Sequence, residues 1–178
     1  GLTVIHEAYI NFSRQPSFIR ELTEYPNLVV MQTLSKAWGL AALRVGMLFS
    51  SVPVIEVLTK IKPPYNVNQA SQELALEALD NTGQVNAWTR SLVEERDKLA
   101  SRLKDIHGVV HIYPSDANFL LVQVVEPRRL YEYLVTEGII VRDRSRVTLC
   151  EGCLRITVGT PGQNEVLLGA VTAFTGKL

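Results

Sequence analysis

Two hydroxyls, an amine and a guanidinium fall within one short stretch of the chain: Thr33, Ser35 and Lys36, followed eight residues later by Arg44. Hydroxyl and guanidinium donors together can grip a phosphate, the guanidinium through charge-assisted and often bidentate hydrogen bonds. Lys36 beside them is the candidate nucleophile, because a lysine amine held neutral by burial or by nearby cations condenses with an aldehyde to a Schiff base. The same residue types also build an ordinary strand-to-helix turn with a solvated lysine, or a phosphate site at a helix start with no covalent chemistry.

A second group, His6-Glu7-Ala8-Tyr9, closes an earlier apolar run. The Tyr9 phenol can donate to an oxygen on a ligand ring lying over Lys36, and the polar group at position 6 can meet a ring nitrogen. Tyr9 as a surface-capping tyrosine is the plainer alternative. Pyridoxal phosphate carries both an aldehyde and a phosphate, so it is the cofactor these residues suggest.

The elements that must position these groups follow from apolar patterning. Leu2–Ile5 and Leu28–Gln32 read as buried strands, with a short proline-opened helix over Pro16–Tyr25 between them. Strands apolar on both faces belong to a parallel sheet covered by helices, and ligands in such sheets sit beyond the carboxyl ends of the strands. Tyr9 and Lys36 therefore fall on one expected rim. Gly46–Ser50 reads as a third strand and Pro53–Ile61 as a helix. Lys62-Pro63-Pro64-Tyr65-Asn66 cannot continue that helix and marks a hinge. Residues 68–106 predict one long helix or two in series, with Gly83 as the break. Beyond Gly108 come strands over Val109–Tyr113, Asn118–Val124, Ile139–Val141 and Leu154–Val158, with helices over Pro127–Glu137 and Pro161–Phe174. The first strand has no lead-in, which predicts that an N-terminal part is lacking.

The chain has 178 residues, 47% hydrophobic and 20% charged, enough to bury a core in one domain or two small ones. Eighteen basic and eighteen acidic residues cancel, so no global field draws it to nucleic acid or an anionic membrane. The basic side is twelve Arg to six Lys, a bias toward forked anion binding. No apolar run reaches the ~18–20 residues of a membrane span. Two cysteines are too few for a disulfide framework, which fits the cytoplasm. Cys150-Glu151-Gly152-Cys153 has zinc-ligand spacing, with His107 and His111 as conceivable partners, but one such pair across a helix-to-strand change is a weak metal signal and no metal is expected.

Several separated motifs carry a family resemblance: Ile5-His6-Glu7-Ala8-Tyr9-Ile10, Thr33-Leu34-Ser35-Lys36-Ala37-Trp38-Gly39-Leu40-Ala41, Leu43-Arg44-Val45-Gly46, Gly138-Ile139-Ile140-Val141-Arg142 and Cys153-Leu154-Arg155-Ile156-Thr157-Val158-Gly159-Thr160. In order and spacing they resemble the histidinol-phosphate aminotransferases, over roughly the C-terminal half of a member. The resemblance implies an α/β fold-type I pyridoxal-phosphate enzyme. Residues 1–65 would be part of a three-layer, parallel-sheet large domain, 66–106 a connecting helical region and 107–178 an α+β small domain. It implies Lys36 as the imine-forming, proton-shuttling lysine, Thr33, Ser35 and Arg44 on the cofactor phosphate, and Tyr9 on the ring 3-oxygen. Arg155 matches the arginine that binds the substrate's anionic group, and Arg142 a second one nearby. Bidentate arginines suit both a phosphorylated amine and a 2-oxo acid, although Arg142-Asp143-Arg144 also reads as an exposed charged turn. A homodimer is implied as well.

Two departures stand out. His6 occupies the position where the family has an aspartate that keeps the pyridine nitrogen protonated; an imidazole there weakens the electron sink and predicts a large loss of transamination rate. The other half of a family member supplies further cofactor contacts, so this chain by itself is expected to bind pyridoxal phosphate poorly. A threonine-phosphate decarboxylase shares much of the motif set, and a non-catalytic fragment or interaction module is the reading outside the enzyme class.

Overall fold

The computed structural model of the chain describes residues 1–177. These divide into two compact units, 1–89 and the described residues from 90 onward, the division falling within one long helix.

The first unit is built on three strands in spatial order, β1 (Thr3–His6), β2 (Leu28–Thr33) and β3 (Gly46–Ser50). β1 and β2 are parallel, pairing Thr3 with Leu28 through His6 with Met31. β3 returns antiparallel, pairing Thr33 with Gly46. The sheet is therefore mixed rather than wholly parallel as the patterning predicts. The physical reason lies in residues 34–45, which hold one short 3-10 turn and no crossover helix, so the chain turns straight back instead of crossing over. Gly46 permits this close return, since a Cβ there would stand 3.3 Å from the Gln32 carbonyl oxygen.

Leu28, Val29 and Val30 are buried as expected, but β1 is not: Val4 is 57% exposed, because β1 is an edge strand. The segment Pro16–Tyr25 forms only a 3-10 turn over Phe18–Glu21, capped by the Ser17 hydroxyl, which accepts from the Ile19 N–H at 3.1 Å. α1 spans Val52–Ile61 and stops before Pro63-Pro64. α2 (Gln69–Leu79) starts at Asn68, whose side chain accepts from the Ser71 N–H at 2.8 Å. α3 runs over Thr82–Lys104. The break between them falls at Asp80-Asn81, residues that favour turns, whereas Gly83 lies in the tolerant first turn of α3.

The second unit carries a four-stranded antiparallel sheet in the order β4 (Val109–Tyr113), β5 (Phe119–Val124), β7 (Cys153–Thr157), β6 (Arg142–Asp143). α4 (Pro127–Thr136) and α5 (Pro161–Thr175) complete it, the latter opened by a Thr160/Gln163 capping box and Pro161. One face holds the core: Leu120 and Val122 of β5 and Leu154 and Ile156 of β7 pack with leucines of α3, α4 and α5. The strand expected over Ile139–Val141 falls instead on Arg142–Asp143. Gly138, at φ 74°, ends α4, and the Ile139 N–H is taken by the Leu134 carbonyl at 2.8 Å, so strand pairing begins only where Arg142 meets Arg155.

Leu154 is fully buried in this core. Leu154→Ala is expected to cost about 2–5 kcal/mol, read as a lowered urea midpoint; an unchanged midpoint would contradict its placement.

Candidate active site

Parallel pairing brings the carboxyl ends of β1 and β2 to one rim of the first unit. His6 ends β1, exposed, in register with Met31, while Thr33 ends β2. Tyr9 follows β1 and Lys36 follows β2, and the Lys36 Nζ stands 5.5 Å from the centroid of the Tyr9 ring. Lys36 is exposed and opens a turn closed by the Gly39 N–H on its own carbonyl at 3.0 Å, with Gly39 at φ 70°. Such a positive φ is readily adopted by glycine.

The segment between β2 and β3 is folded back on itself. The Leu34 N–H donates to Val45 O at 3.2 Å and the Leu40 N–H to Leu34 O at 3.0 Å. The Thr33 hydroxyl accepts from the Ser35 N–H at 3.1 Å and donates to Val45 O at 3.4 Å. Arg44, left-handed at φ 58°, lies two residues before Gly46, the pairing partner of Thr33, and its Nη1 donates to Ala41 O at 3.0 Å. Hydroxyls, guanidinium, amine and phenol thus belong to one rim and the loop beside it.

Glu7 is the residue to which the sequence assigned no role. It is buried, and its carboxylate accepts from the Ser17 hydroxyl (2.7 Å), the Phe18 N–H (2.8 Å) and the Gln32 side-chain amide (2.9 Å). It thereby ties the turn that carries Tyr9 to β2 and to the 3-10 turn. Its partners lie 10 to 25 residues away, beyond any short-range sequence signal.

In the second unit Arg155 of β7 sits directly opposite Arg142 of β6, and Leu121 of β5 flanks Arg155 on the other side. By strand alternation these lie on the face away from the helices. Arg142 is exposed; the Arg155 Nε is buried without a hydrogen-bond partner, and its Cζ lies 4.9 Å from the centroid of the Phe119 ring. Two like charges opposed across a ladder repel unless an anion joins them. Cys150 lies in the turn before β7 and Cys153 opens that strand, its N–H donating to Cys150 O at 3.0 Å. Burial pushes the Cys153 thiol above its ordinary range. Among the described residues no three His, Cys, Asp or Glu side chains gather as a metal site, and no helix is long and apolar enough to cross a membrane.

The fold is shared with solved pyridoxal-phosphate aminotransferase structures. The histidinol-phosphate aminotransferase from Clostridium acetobutylicum superposes with a TM-score of 0.90 at 22% identity, over 99% of this chain and 55% of that one. The enzyme of the same name from Sinorhizobium meliloti, solved in complex with pyridoxal-5'-phosphate, gives 0.83 at 24%, over 99% and 49%. Residues 1–171 match the aminotransferase class I and II family model, and the chain belongs to that family. It is also 49% identical over 176 residues to a histidinol-phosphate aminotransferase of Bacteroides thetaiotaomicron, covering 99% of this chain and 51% of that relative. The chain spans about half the length of the curated relatives it matches.

Removing the Glu7 carboxylate in Glu7→Ala strands three donors, each costing about 1–3 kcal/mol when buried and unpaired. The Phe18 amide is expected to exchange with deuterium at least about tenfold faster, and unchanged protection would contradict the clamp. A buried thiol with a raised pKa holds little thiolate at neutral pH, so iodoacetamide should modify Cys150 in the folded chain and Cys153 only on unfolding. Equal labelling, mapped by mass spectrometry, would contradict this.

Proposed function

We propose that the chain is the lysine-bearing part of a pyridoxal-phosphate aminotransferase. The enzyme would move an amino group between histidinol phosphate and 2-oxoglutarate, giving imidazole acetol phosphate and glutamate. The observation that carries the reading is the meeting of the Lys36 amine and the Tyr9 ring beside the Thr33–Arg44 loop. The donor set fits the cofactor: hydroxyls of Thr33 and Ser35 with the Arg44 guanidinium suit its phosphate, the Lys36 amine its aldehyde and the Tyr9 phenol its ring oxygen. When bound, pyridoxal phosphate supplies the aldehyde that takes the amino group and the ring that draws off the electron pair of the substrate α-carbon.

Within this reading Lys36 holds and returns the proton at the substrate α-carbon. Arg155 and Arg142 receive the anionic group, a phosphate on one substrate and a carboxylate on the other, which lets one site serve both. His6 offers the ring nitrogen an imidazole where a carboxylate would hold its proton. Residues 1–65 then belong to the large three-layer domain, 66–106 to the connecting helices and 107–178 to the α+β small domain, in a cytoplasmic homodimer. The substrate assignment leans on the 49% identical relative of that name rather than on a decarboxylase.

Borohydride reduction of the full-length protein loaded with pyridoxal phosphate should fix the label on Lys36 and on no other lysine. A label elsewhere would remove the assignment. Activity with histidinol phosphate but not threonine phosphate separates the aminotransferase from the decarboxylase. His6→Asp should raise the transamination rate at least about tenfold by restoring a carboxylate partner for the ring nitrogen; an unchanged rate would show that position 6 does not meet that nitrogen.

A further inference from the structure

An arginine can be held in place by a carboxylate, which occupies its N–H edge and neutralises its charge. It can also be held by an aromatic ring beneath its planar face, which leaves edge and charge free. Arg155 fits the second way: its Cζ lies over the Phe119 ring, 4.9 Å from the centroid, and its Nε is buried with no hydrogen-bond partner among the described residues. Strand register explains the meeting. Phe119 opens β5 opposite Thr157, Leu121 stands opposite Arg155, and so Phe119 is the diagonal neighbour of Arg155 on the same face. Diagonal neighbours in an antiparallel pair are within reach of aromatic and long side chains.

We propose that Phe119 is a positioning residue for substrate binding: its ring holds the Arg155 guanidinium by the face so that its unpaired N–H donors stay available to the anionic group of the substrate. The proposal rests on the reading of Arg155 as the anion receiver. Phe119 itself touches no substrate in this scheme. Arg142, opposite Arg155 across the ladder, adds a second charge without competing for the ring. A side chain of similar bulk without a ring would preserve the apolar contact but lose the attraction of the ring quadrupole for the cation.

The test uses the full-length enzyme with its cofactor bound, so that the cofactor phosphate site is already filled. Inorganic phosphate is titrated calorimetrically, and KM and kcat are measured with glutamate. Phe119→Leu should weaken phosphate binding by about five- to tenfold and raise the glutamate KM by a similar factor, with kcat changed less than about twofold. Phe119→Tyr, which keeps the ring, should restore both to within about twofold of the parent. Phe119→Met is a second ring-free variant, to be read if the leucine variant folds poorly. Arg155→Ala is the reference and should lose phosphate binding. If Arg155→Ala loses it while both ring-free variants bind phosphate like the parent, the proposal is overturned and the reading of Arg155 stands. Equal weakening in the tyrosine and leucine variants would point to packing alone and also overturn it. Unaltered binding in Arg155→Ala would overturn that reading and the proposal with it.

Discussion

Two strands that run parallel and pair in register must end on the same edge of their sheet. That constraint, met by β1 and β2, makes neighbours of Tyr9 and Lys36, which the chain separates by an intervening strand and loop. The antiparallel return of β3 then closes residues 34–45 into a loop, with Val45 O taking the Leu34 N–H and keeping Arg44 near the level of Thr33. Each backbone hydrogen bond is worth only about 0.5–1.5 kcal/mol net, so no single one fixes the rim. The ladder as a whole does, and the buried Glu7 carboxylate ties the Tyr9 turn to it through Gln32 and Ser17.

In the second unit the period of the strand separates core from charge. Leu154 and Ile156 turn toward the helices, while Arg155 between them turns the other way and faces Arg142. A like-charge pair across a ladder costs roughly 0.2–1 kcal/mol, whereas burying one leucine or isoleucine contributes about 1.5–3 kcal/mol. The apolar side therefore decides the register, and the opposed arginines persist without an acid between them. The alternation that builds the core thereby concentrates positive charge on the opposite face.

Long apolar or amphipathic runs were legible in the sequence because burial imposes their period. β2, β3, α1 and α5 fall within a residue or so of where their patterns place them. Pairing direction was not legible for β3: its residues read the same either way, and the decision belongs to the loop before it, which holds no crossover helix. The strand expected at Ile139–Val141 fails for a related reason: its apolar β-branched residues have the composition of a strand, but the backbone there pairs with no strand and the Ile139 N–H goes to the Leu134 carbonyl. Of the candidate site, the residues with distinctive chemistry were visible: a lysine just after two hydroxyls, a tyrosine near a strand end, paired arginines. The residues that act through others were not. Glu7 and Phe119 have ordinary types for their positions, and their importance comes from partners that only strand register brings near.

His6 and Glu7 show how little freedom that register leaves. A carboxylate stands one residue from the place where a pyridine nitrogen would call for one, yet the pleat sends the two side chains to opposite faces of the sheet. Gln32, which holds Glu7, and Thr33, which shares the face of His6, alternate in the same way on β2. Slipping β1 by one position would exchange the faces, but it would also turn Ile5 from the side of the fully buried Val30 toward the opposite face and strand the donors of Ser17, Phe18 and Gln32. Each stranded donor costs about 1–3 kcal/mol, so the fold cannot lend Glu7 to the rim. Any carboxylate required there has to come from position 6 itself, and under the proposed function this is why a histidine at that one position would bear so directly on the chemistry.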